Sequence, residues 1–266
     1  MKNNKRFFST RFAMACLMMV GLLLAGCSQE LETAQAESEY PAVRQVADIP
    51  DFAAVKDTKA RKKAFFDFMR PIVRAENARL AKARLRMLSL FDMLEHGDSV
   101  RAEQKAWLLH LAKTYHVKMP DLHDEHARQL LKQRVDTVPL RLVLAQSANE
   151  SSWGTSRFAR EGRNFFGQWC FTAGCGIVPG KRSAGLTHEV AVFATVNASV
   201  ASYLRHINYV EVYTPLRLIR HDMRMHGKKP TAHNLAGGLK AYSQRGLDYV
   251  DEIRSMIRTN FELMAG

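Results

Sequence analysis

The sequence predicts a mainly α-helical fold with a small β part (α+β), and three segments carry this prediction. Residues 139–148 place leucine, valine and alanine at helical spacing, and residues 72–94 are rich in strong helix formers. Residues 170–185, in contrast, are rich in glycine and precede a short apolar run at residues 188–193, which is typical of a hairpin. With 266 residues and 47% hydrophobic residues, the chain is expected to bury a sizeable core in one or two domains.

The first residues of the chain predict export. A basic segment precedes an apolar run, residues 12–25, that is too short for a comfortable membrane span. The next step is Leu-Ala-Gly-Cys at residues 24–27, which resembles the lipobox of bacterial lipoproteins. The resemblance implies a signal peptide over residues 1–26 and a lipid anchor on Cys27, and Ser28 after it implies the periplasmic face of the outer membrane. An ordinary signal peptide or a short uncleaved anchor is the alternative.

The charge of the chain narrows its partners. The formal net charge is +13, and the signal segment carries four basic residues and no acidic one, so the mature chain keeps 13 − 4 = +9. A basic protein suits nucleic acid, anionic lipid or an anionic polymer. Export removes nucleic acid from this set and leaves the membrane surface and the polymers of the cell wall.

Two regions precede the most informative part of the chain. Residues 27–51 are polar and acidic with two prolines, which predicts a linker. Residues 52–135 predict a helical region, in which Pro71 is expected to interrupt the first helix and Gly97 to end the second. His123 and His126 lie there three positions apart, but no third ligand is in sight, so they predict no metal site.

In the helical region, a further helix is expected to bury Trp107, Leu108, Leu109 and Leu111, and a short one is expected over residues 121–132.

The segment after the helical region, residues 136–154, predicts one buried helix with a polar end. Asp136 and Thr137 are candidate N-caps, while Pro139 suits the first turn, where a missing N–H costs nothing. Gly154 is the candidate stop.

Glu150 lies in the last predicted turn of that helix, where its carboxyl group has an unfavourable setting for charge. The negative end of the helix dipole and partial burial beside Trp153 both raise the pKa of this carboxyl group. A carboxylic acid with a raised pKa beside an aromatic ring is what a general acid in glycosidic-bond cleavage requires. A solvated glutamate at a helix end is the alternative interpretation.

The string AQSANESSWGTS, followed by NFFGQW, resembles the signature of the glucosaminidase family of cell-wall hydrolases. The matching positions are Ala145, Gln146, Glu150, Ser151, Trp153, Gly154, Ser156, Asn164, Phe166 and Gly167. The resemblance is greatest to the Bax-type branch, which also has an N-terminal helical region. It implies a lysozyme-like catalytic domain over residues 136–266 with a small hairpin lobe, and it makes Glu150 the catalytic acid.

Glycoside hydrolysis usually requires a second carboxylate. The resemblance implies Glu189, because the family often places a second glutamate in the hairpin lobe, and His188 stands beside it to orient it. Glu161 and Asp248 are the alternatives. Some family members instead use the N-acetyl group of the substrate as the nucleophile, and Tyr242 would then orient that group.

Four residues are candidates for substrate binding: Trp153, Asn164, Phe166 and Tyr249. One or two of the aromatic residues Trp153, Phe165, Phe166 and Trp169 are expected to stack on sugar rings and the rest to be buried. The C-terminal segment resembles the family pattern except at residues 244–246, where Gln-Arg-Gly replaces Thr-Asp-Pro. This departure leaves open which tyrosine faces the cleft.

Cys170 and Cys175 remain in the mature chain besides Cys27, since Cys16 leaves with the signal. Two cysteines in an exported protein are expected to pair in a disulfide. Two thiols without nearby histidine ligands do not make a zinc site, so no metal or organic cofactor is implied.

These observations together predict a monomeric, lipid-anchored peptidoglycan hydrolase. The expected activity is that of an endo-β-N-acetylglucosaminidase, which cleaves the β-1,4 bond on the reducing side of N-acetylglucosamine in the glycan strand. A lytic transglycosylase is one alternative, although NFFGQW stands where that class usually has a GLMQ-like segment. A catalytically silent wall-binding lipoprotein is the other, and the intact Glu150 argues against it.

Overall fold

A computed structural model describes residues 44–180, 182 and 185–265. The predicted signal peptide, Cys27 and most of the predicted linker lie outside the described residues. Within the described residues, the chain forms nine α-helices and three short strands. None of these helices is both long enough and apolar enough to cross a membrane.

The elements confirm a mainly α fold with a small antiparallel sheet. The helices are α1 (Thr58–Glu95), α2 (Ala102–Thr114), α3 (Glu125–Arg134), α4 (Leu140–Glu150), α5 (Arg157–Gly162), α6 (Val196–Tyr209), α7 (Thr214–Met225), α8 (Ala232–Ala236) and α9 (Leu247–Thr259), with 3₁₀ turns at Glu211–Tyr213 and Gly237–Leu239. The strands are β1 (Trp169–Cys170), β2 (Gly176–Ile177) and β3 (Glu189–Ala191), in the order β1-β3-β2. Trp169 pairs with Val190, and Gly176 pairs with Ala191.

Helix α1 runs without a break through Pro71, so the expected interruption there was wrong. A proline inside a helix removes one backbone hydrogen bond and costs about 3 kcal/mol. Next to it, however, Met69, Ile72 and Val73 are buried in the core. Burying each such side chain stabilises the fold by about 1.5–3 kcal/mol, so their packing offsets the effect of the proline. The second predicted stop, Gly97, does follow the end of α1.

Two hydrophobic clusters lie along α1. The first contains residues from α4, α6 and α9 together with Phe65 and Phe66 from the N-terminal half of α1. The second joins Phe91, from the C-terminal half of α1, to Leu108 of α2 and Leu131 of α3. The N-terminal half of α1 therefore belongs to the same core as the helix that carries Glu150. The boundary between the helical region and the catalytic domain, at residues 135 and 136, stays a prediction.

Two details of the helical region differ from expectation. Leu109 was expected to be buried, but it is 36% exposed, because it lies about 100° around α2 from the buried Leu108. The short helix α3 begins at Glu125 rather than near residue 121. Its N-cap is Asp124, whose carboxylate accepts the Ala127 N–H at 3.0 Å, and this hydrogen bond sets the later start.

The loop before α4 is held by buried charges rather than by an N-cap side chain. Pro139 occupies the N-cap position of α4, so Asp136 and Thr137 were wrongly predicted as caps. The carboxylate of Asp136 is instead buried and accepts two hydrogen bonds from Arg224, at 2.5 and 2.7 Å. Arg84 and Arg220 lie within 3.6 Å of the same carboxylate. The two helices that supply these arginines, α1 and α7, thereby fix the approach to α4.

Candidate active site

Glu150 is the last residue of α4, and the chain turns sharply after it. Ser152, Trp153 and Gly154 all have left-handed backbone angles, with φ of 51°, 60° and 74°. The predicted stop at Gly154 therefore lies at the end of this turn and not at the end of the helix. The hydroxyl of Ser151 accepts the Gly154 N–H at 2.8 Å and donates to the Ser147 carbonyl at 2.6 Å. These bonds tie the turn to α4 and hold Glu150 in place.

The carboxyl group of Glu150 is half-buried and has an identifiable hydrogen-bond partner. The hydroxyl of Tyr249 donates to Glu150 Oε1 at 2.8 Å, and Asn149 Nδ2 donates to the same atom at 3.4 Å. Burial raises the pKa of the Glu150 carboxyl, and these two hydrogen bonds oppose the rise. The net direction is upward, which is the direction that a general acid requires.

A buried chain of hydrogen bonds continues behind Tyr249. Gln146 Nε2 donates to the Tyr249 hydroxyl oxygen at 2.9 Å, and Tyr203 donates its hydroxyl proton to Gln146 Oε1. The amide of Gln146 thus accepts at one end and donates at the other, so Tyr249 keeps its own proton for Glu150. Gln146 was part of the family signature, but its role became visible only here. Gln146 lies four residues before Glu150 on one helix and so on the same face, which is the sequence feature that could have predicted this role.

Tyr242 lies beside this chain, not within it. Its ring stacks on Tyr249 with centroids 5.3 Å apart, while its hydroxyl donates to the Phe166 carbonyl at 3.1 Å. The tyrosine that binds Glu150 is therefore Tyr249, for which the sequence predicted a role in substrate binding. Tyr242 orients the Tyr249 ring and fastens the loop that contains Phe166.

The other predicted substrate-binding residues are mostly internal. Asn164 is buried and donates to the carbonyls of Gln168 and Ala191 at 2.8 and 2.9 Å, which joins the loop before β1 to β3. Phe166 is buried and stacks on Tyr203, with centroids 4.0 Å apart. Trp153 is half-buried and packs edge-on against the two adjacent phenylalanines of α1. These three residues position the site from behind.

Glu189 lies on β3 in the hairpin sheet. Its two carboxylate oxygens accept the N–H groups of Gly174 and Gly176 at 3.0 and 2.7 Å. These hydrogen bonds lower the pKa of Glu189, so this group is ionised at neutral pH. The carboxylate whose charge raises the pKa of Glu150 is a different one, Glu252 of α9.

Glu252 was not among the residues predicted from the sequence. It forms an ion pair with Arg245, and this arginine lies in the Gln-Arg-Gly segment that departs from the family pattern. Arg245 lowers the pKa of Glu150 whereas Glu252 raises it, so the pair acts on the acid with opposite signs. Tyr249 and Glu252 are three residues apart on one helix and so share a face, which is the sequence feature that could have predicted a role for Glu252. The two alternative carboxylates, Glu161 and Asp248, are exposed.

The sulfur atoms of Cys170 and Cys175 are 1.98 Å apart and form a disulfide. Within the described residues, these two sulfurs and the Glu189 carboxylate form the one group of three potential metal ligands. Sulfur atoms in a disulfide are not thiolates, and both Glu189 oxygens already accept N–H groups. This donor set does not suit a metal ion.

Comparisons with known proteins identify the family of the chain. The glucosaminidase family, described as mannosyl-glycoprotein endo-beta-N-acetylglucosaminidase, matches residues 125–262, just over half of the chain. The chain is also similar to Protein bax of Escherichia coli (strain K12), with 29% identity over 219 residues that cover 82% of this chain and 77% of that protein. This similarity confirms the expected resemblance to the Bax-type branch. No solved structure matches the chain significantly. The chain therefore belongs to the glucosaminidase family and carries a domain of the glycoside hydrolase kind.

Proposed function

We propose that this protein is a peptidoglycan hydrolase that acts as an endo-β-N-acetylglucosaminidase on the β-1,4 bond at the reducing side of N-acetylglucosamine. The observation that carries the proposal is the half-buried Glu150 with its raised pKa and its hydrogen bond from Tyr249. A carboxyl group in this setting holds its proton at higher pH than an exposed one and delivers it to the leaving oxygen of the glycosidic bond.

After this proton transfer Glu150 is an anion. The hydroxyl of Tyr249, already polarised by Gln146, donates to that anion and stabilises it. The hydrogen bond is stronger to the charged carboxylate than to the neutral acid, so it favours the state formed during bond cleavage. Tyr242 and Asn164 support this geometry from behind.

For the second group we propose Glu189, whose lowered pKa keeps it negative and able to stabilise an oxocarbenium-like transition state or to orient water. Both oxygens of Glu189 already accept backbone N–H groups, and this observation favours a second candidate mechanism. In that candidate the N-acetyl group of the substrate is the nucleophile, and Glu189 serves the hairpin alone.

Glu189→Gln, in a sample whose circular dichroism and Tm match the wild type, distinguishes the two candidates, since it removes the charge and keeps one of the two oxygen acceptors. A turnover rate that falls by about 100-fold or more, the size of one general acid–base contribution, supports the carboxylate role. An activity within a few-fold of wild type supports the substrate-assisted route.

Digestion of purified peptidoglycan by the soluble part of the chain, from about residue 51 onward, tests the bond that is cleaved. Mass spectrometry of fragments with N-acetylglucosamine at the reducing end would support the proposal. Anhydro-muramic ends would instead identify a lytic transglycosylase, a class that also relies on a single glutamic acid. A folded sample that releases no fragment would favour a silent wall-binding protein.

We also propose that the mature protein is a monomer tethered through a lipid on Cys27, at the periplasmic face of the outer membrane. The lipobox-like residues 24–27 support the anchor, and the net charge of +9 after signal removal suits an anionic wall polymer. The test is the Cys27→Ser variant of the full chain. We expect it to leave the membrane fraction, whereas a variant that stays there would contradict the lipid anchor.

A further inference from the structure

Four aromatic residues stood out in the sequence as possible platforms for sugar rings, and only Trp169 is exposed. Phe165 and Phe166 are buried, and Trp153 packs against α1. The indole of Trp169, in contrast, is 60% exposed on β1. An exposed tryptophan of this extent leaves a large apolar surface in water, and tryptophan is enriched at binding surfaces because its ring is apolar and carries one N–H donor.

The ring of Trp169 is held in this way. One face lies against the imidazole of His188, with centroids 4.1 Å apart and an interplanar angle of 21°. The backbone of Trp169 pairs with Val190 of β3, and the next residue is joined to Cys175 by the disulfide. His188 therefore covers one face of the indole, and the rest of the residue is in contact with solvent.

The support under His188 is fixed as well. Arg182 Nη1 donates to the carbonyls of Thr187 and His188 at 3.3 and 3.1 Å. Glu189, the next residue, binds the N–H groups of the glycines that flank Cys175. A guanidinium, a carboxylate and a disulfide thus stiffen both partners of the stacked pair, although the ring they hold is exposed.

This stacked pair is continuous with the site around Glu150. Trp169 follows the loop in which Phe166 stacks on Tyr203 and accepts the hydrogen bond of Tyr242. The side chain of Asn164 binds the carbonyl of Gln168, directly before Trp169. The loop before Trp169 therefore contacts Tyr203 and Tyr242. Tyr203 donates to Gln146 and Tyr242 stacks on Tyr249, so this loop supports the hydrogen-bond chain behind Glu150.

We propose that the Trp169–His188 pair is a sugar-binding subsite that stacks on the apolar face of an N-acetylated hexose in the glycan strand, outside the bond that is cleaved. The inference rests on the proposed function, because a glycan strand is a polymer and can contact the protein both at Glu150 and at a second position. The exposed ring supplies flat apolar area at low cost in conformational entropy. The subsite raises affinity for long strands and leaves the proton transfer at Glu150 unchanged.

Binding of N-acetylglucosamine hexamer to the full chain with Glu150→Gln tests the subsite by calorimetry without hydrolysis. We expect Trp169→Ala in this background to weaken binding about tenfold, as removal of one aromatic stacking contact does. Trp169→Phe should recover part of the affinity. Phe171→Ala is the matched control, since Phe171 is 72% exposed two residues away and should leave binding unchanged.

An unchanged affinity for Trp169→Ala, an equal loss for Phe171→Ala, or no binding of the hexamer to Glu150→Gln would overturn the subsite. The subsite is also overturned if Trp169→Ala weakens binding only to anionic lipid vesicles, because the ring would then contact a membrane. The proposed function fails separately, if the wild type cleaves no glycan. A loss of hexamer binding that is specific to Trp169→Ala would still support the subsite in that case. For a cleaving wild type, Trp169→Ala should raise KM for long strands and leave kcat within about twofold.

Discussion

The hydroxyl of Tyr249 donates a hydrogen bond to Oε1 of Glu150 over 2.8 Å, and the side chain of Gln146 donates to that hydroxyl over 2.9 Å. Helix α9 thereby acts on the acid at the end of α4, with about a hundred residues between them in the chain. Burial raises the proton affinity of Glu150, and this hydrogen bond lowers it again in part. The balance between the two sets the pH range in which the acid carries its proton.

The first prediction concerns Tyr249→Phe. Removing the hydroxyl removes a donor that stabilises the ionised carboxylate, so the pKa of Glu150 rises further above its ordinary value. The basic limb of the pH profile of kcat/KM should move to higher pH, and kcat should fall because the anion formed in the reaction loses its donor. Steady-state kinetics over pH on soluble glycan fragments measures both effects.

Tyr242→Phe is the matched control for that experiment. The Tyr242 hydroxyl donates to the Phe166 carbonyl, so its loss should leave the basic limb where it is in the wild type. Equal shifts in both variants, or a basic limb that stays in place in Tyr249→Phe, would show that the hydroxyl of Tyr249 does not tune the acid.

The second prediction concerns Glu150→Gln. Its cleavage activity should fall by at least about 100-fold, since an amide cannot donate the acidic proton. Its thermal stability should exceed that of the wild type at pH 7, because the raised pKa of Glu150 means that ionisation of this half-buried group weakens the folded state.

The sign of this stability difference follows from the direction of the pKa shift. Glu150 stabilises the folded wild type fully below its ordinary pKa of 4.5, and that contribution is lost as the pH rises through the raised folded value. The gap in Tm between variant and wild type should therefore close near pH 4 and open towards pH 7. A gap that is constant with pH, or one that favours the wild type at pH 7, would contradict a raised pKa.

The third prediction concerns the turn after α4. A Cβ atom at Gly154 would lie 2.5 Å from Cδ2 of the buried Phe52, and the backbone there has a left-handed φ of 74°. Gly154→Ala should destabilise the fold by about 1–2 kcal/mol from the backbone and by more from the clash. Gly97→Ala has a similar φ of 83° with no atom within 4 Å, so it should show the backbone part alone. Urea unfolding of the two variants separates the contributions, and equal losses would mean that Phe52 yields freely.

The fourth prediction concerns the loop that leads into α4. Asp136→Asn leaves the buried guanidinium of Arg220 without its carboxylate, and such a loss costs about 3–5 kcal/mol. Asp67→Asn breaks the ion pairs of the exposed Asp67 with Lys63 and Arg70 and should cost about 0–1 kcal/mol. Denaturant unfolding should rank the two variants in this order. A similar small cost for both would show that the remaining contacts of the loop suffice.

The local features of this protein could be predicted from the order of its residues. Helical spacing and a polar end placed Glu150 in the final turn of a buried helix, and the structure has α4 ending at that residue. The glycine-rich stretch before residue 188 predicted the hairpin region that contains the sheet. These features depend on neighbours within one or two turns of the chain, so local patterns are enough to predict them.

Features that depend on contacts between distant residues could not be predicted in this way. Local rules end a helix at Pro71, but packing against α4 and α6 carries α1 through it. The choice of Tyr249 rather than Tyr242 as the partner of Glu150 follows from how α9 docks against α4, and the charge of Glu252 reaches the acid by the same route. Hydrogen bonds and charges act over a few ångströms in space, and a sequence records only the order of residues along the chain.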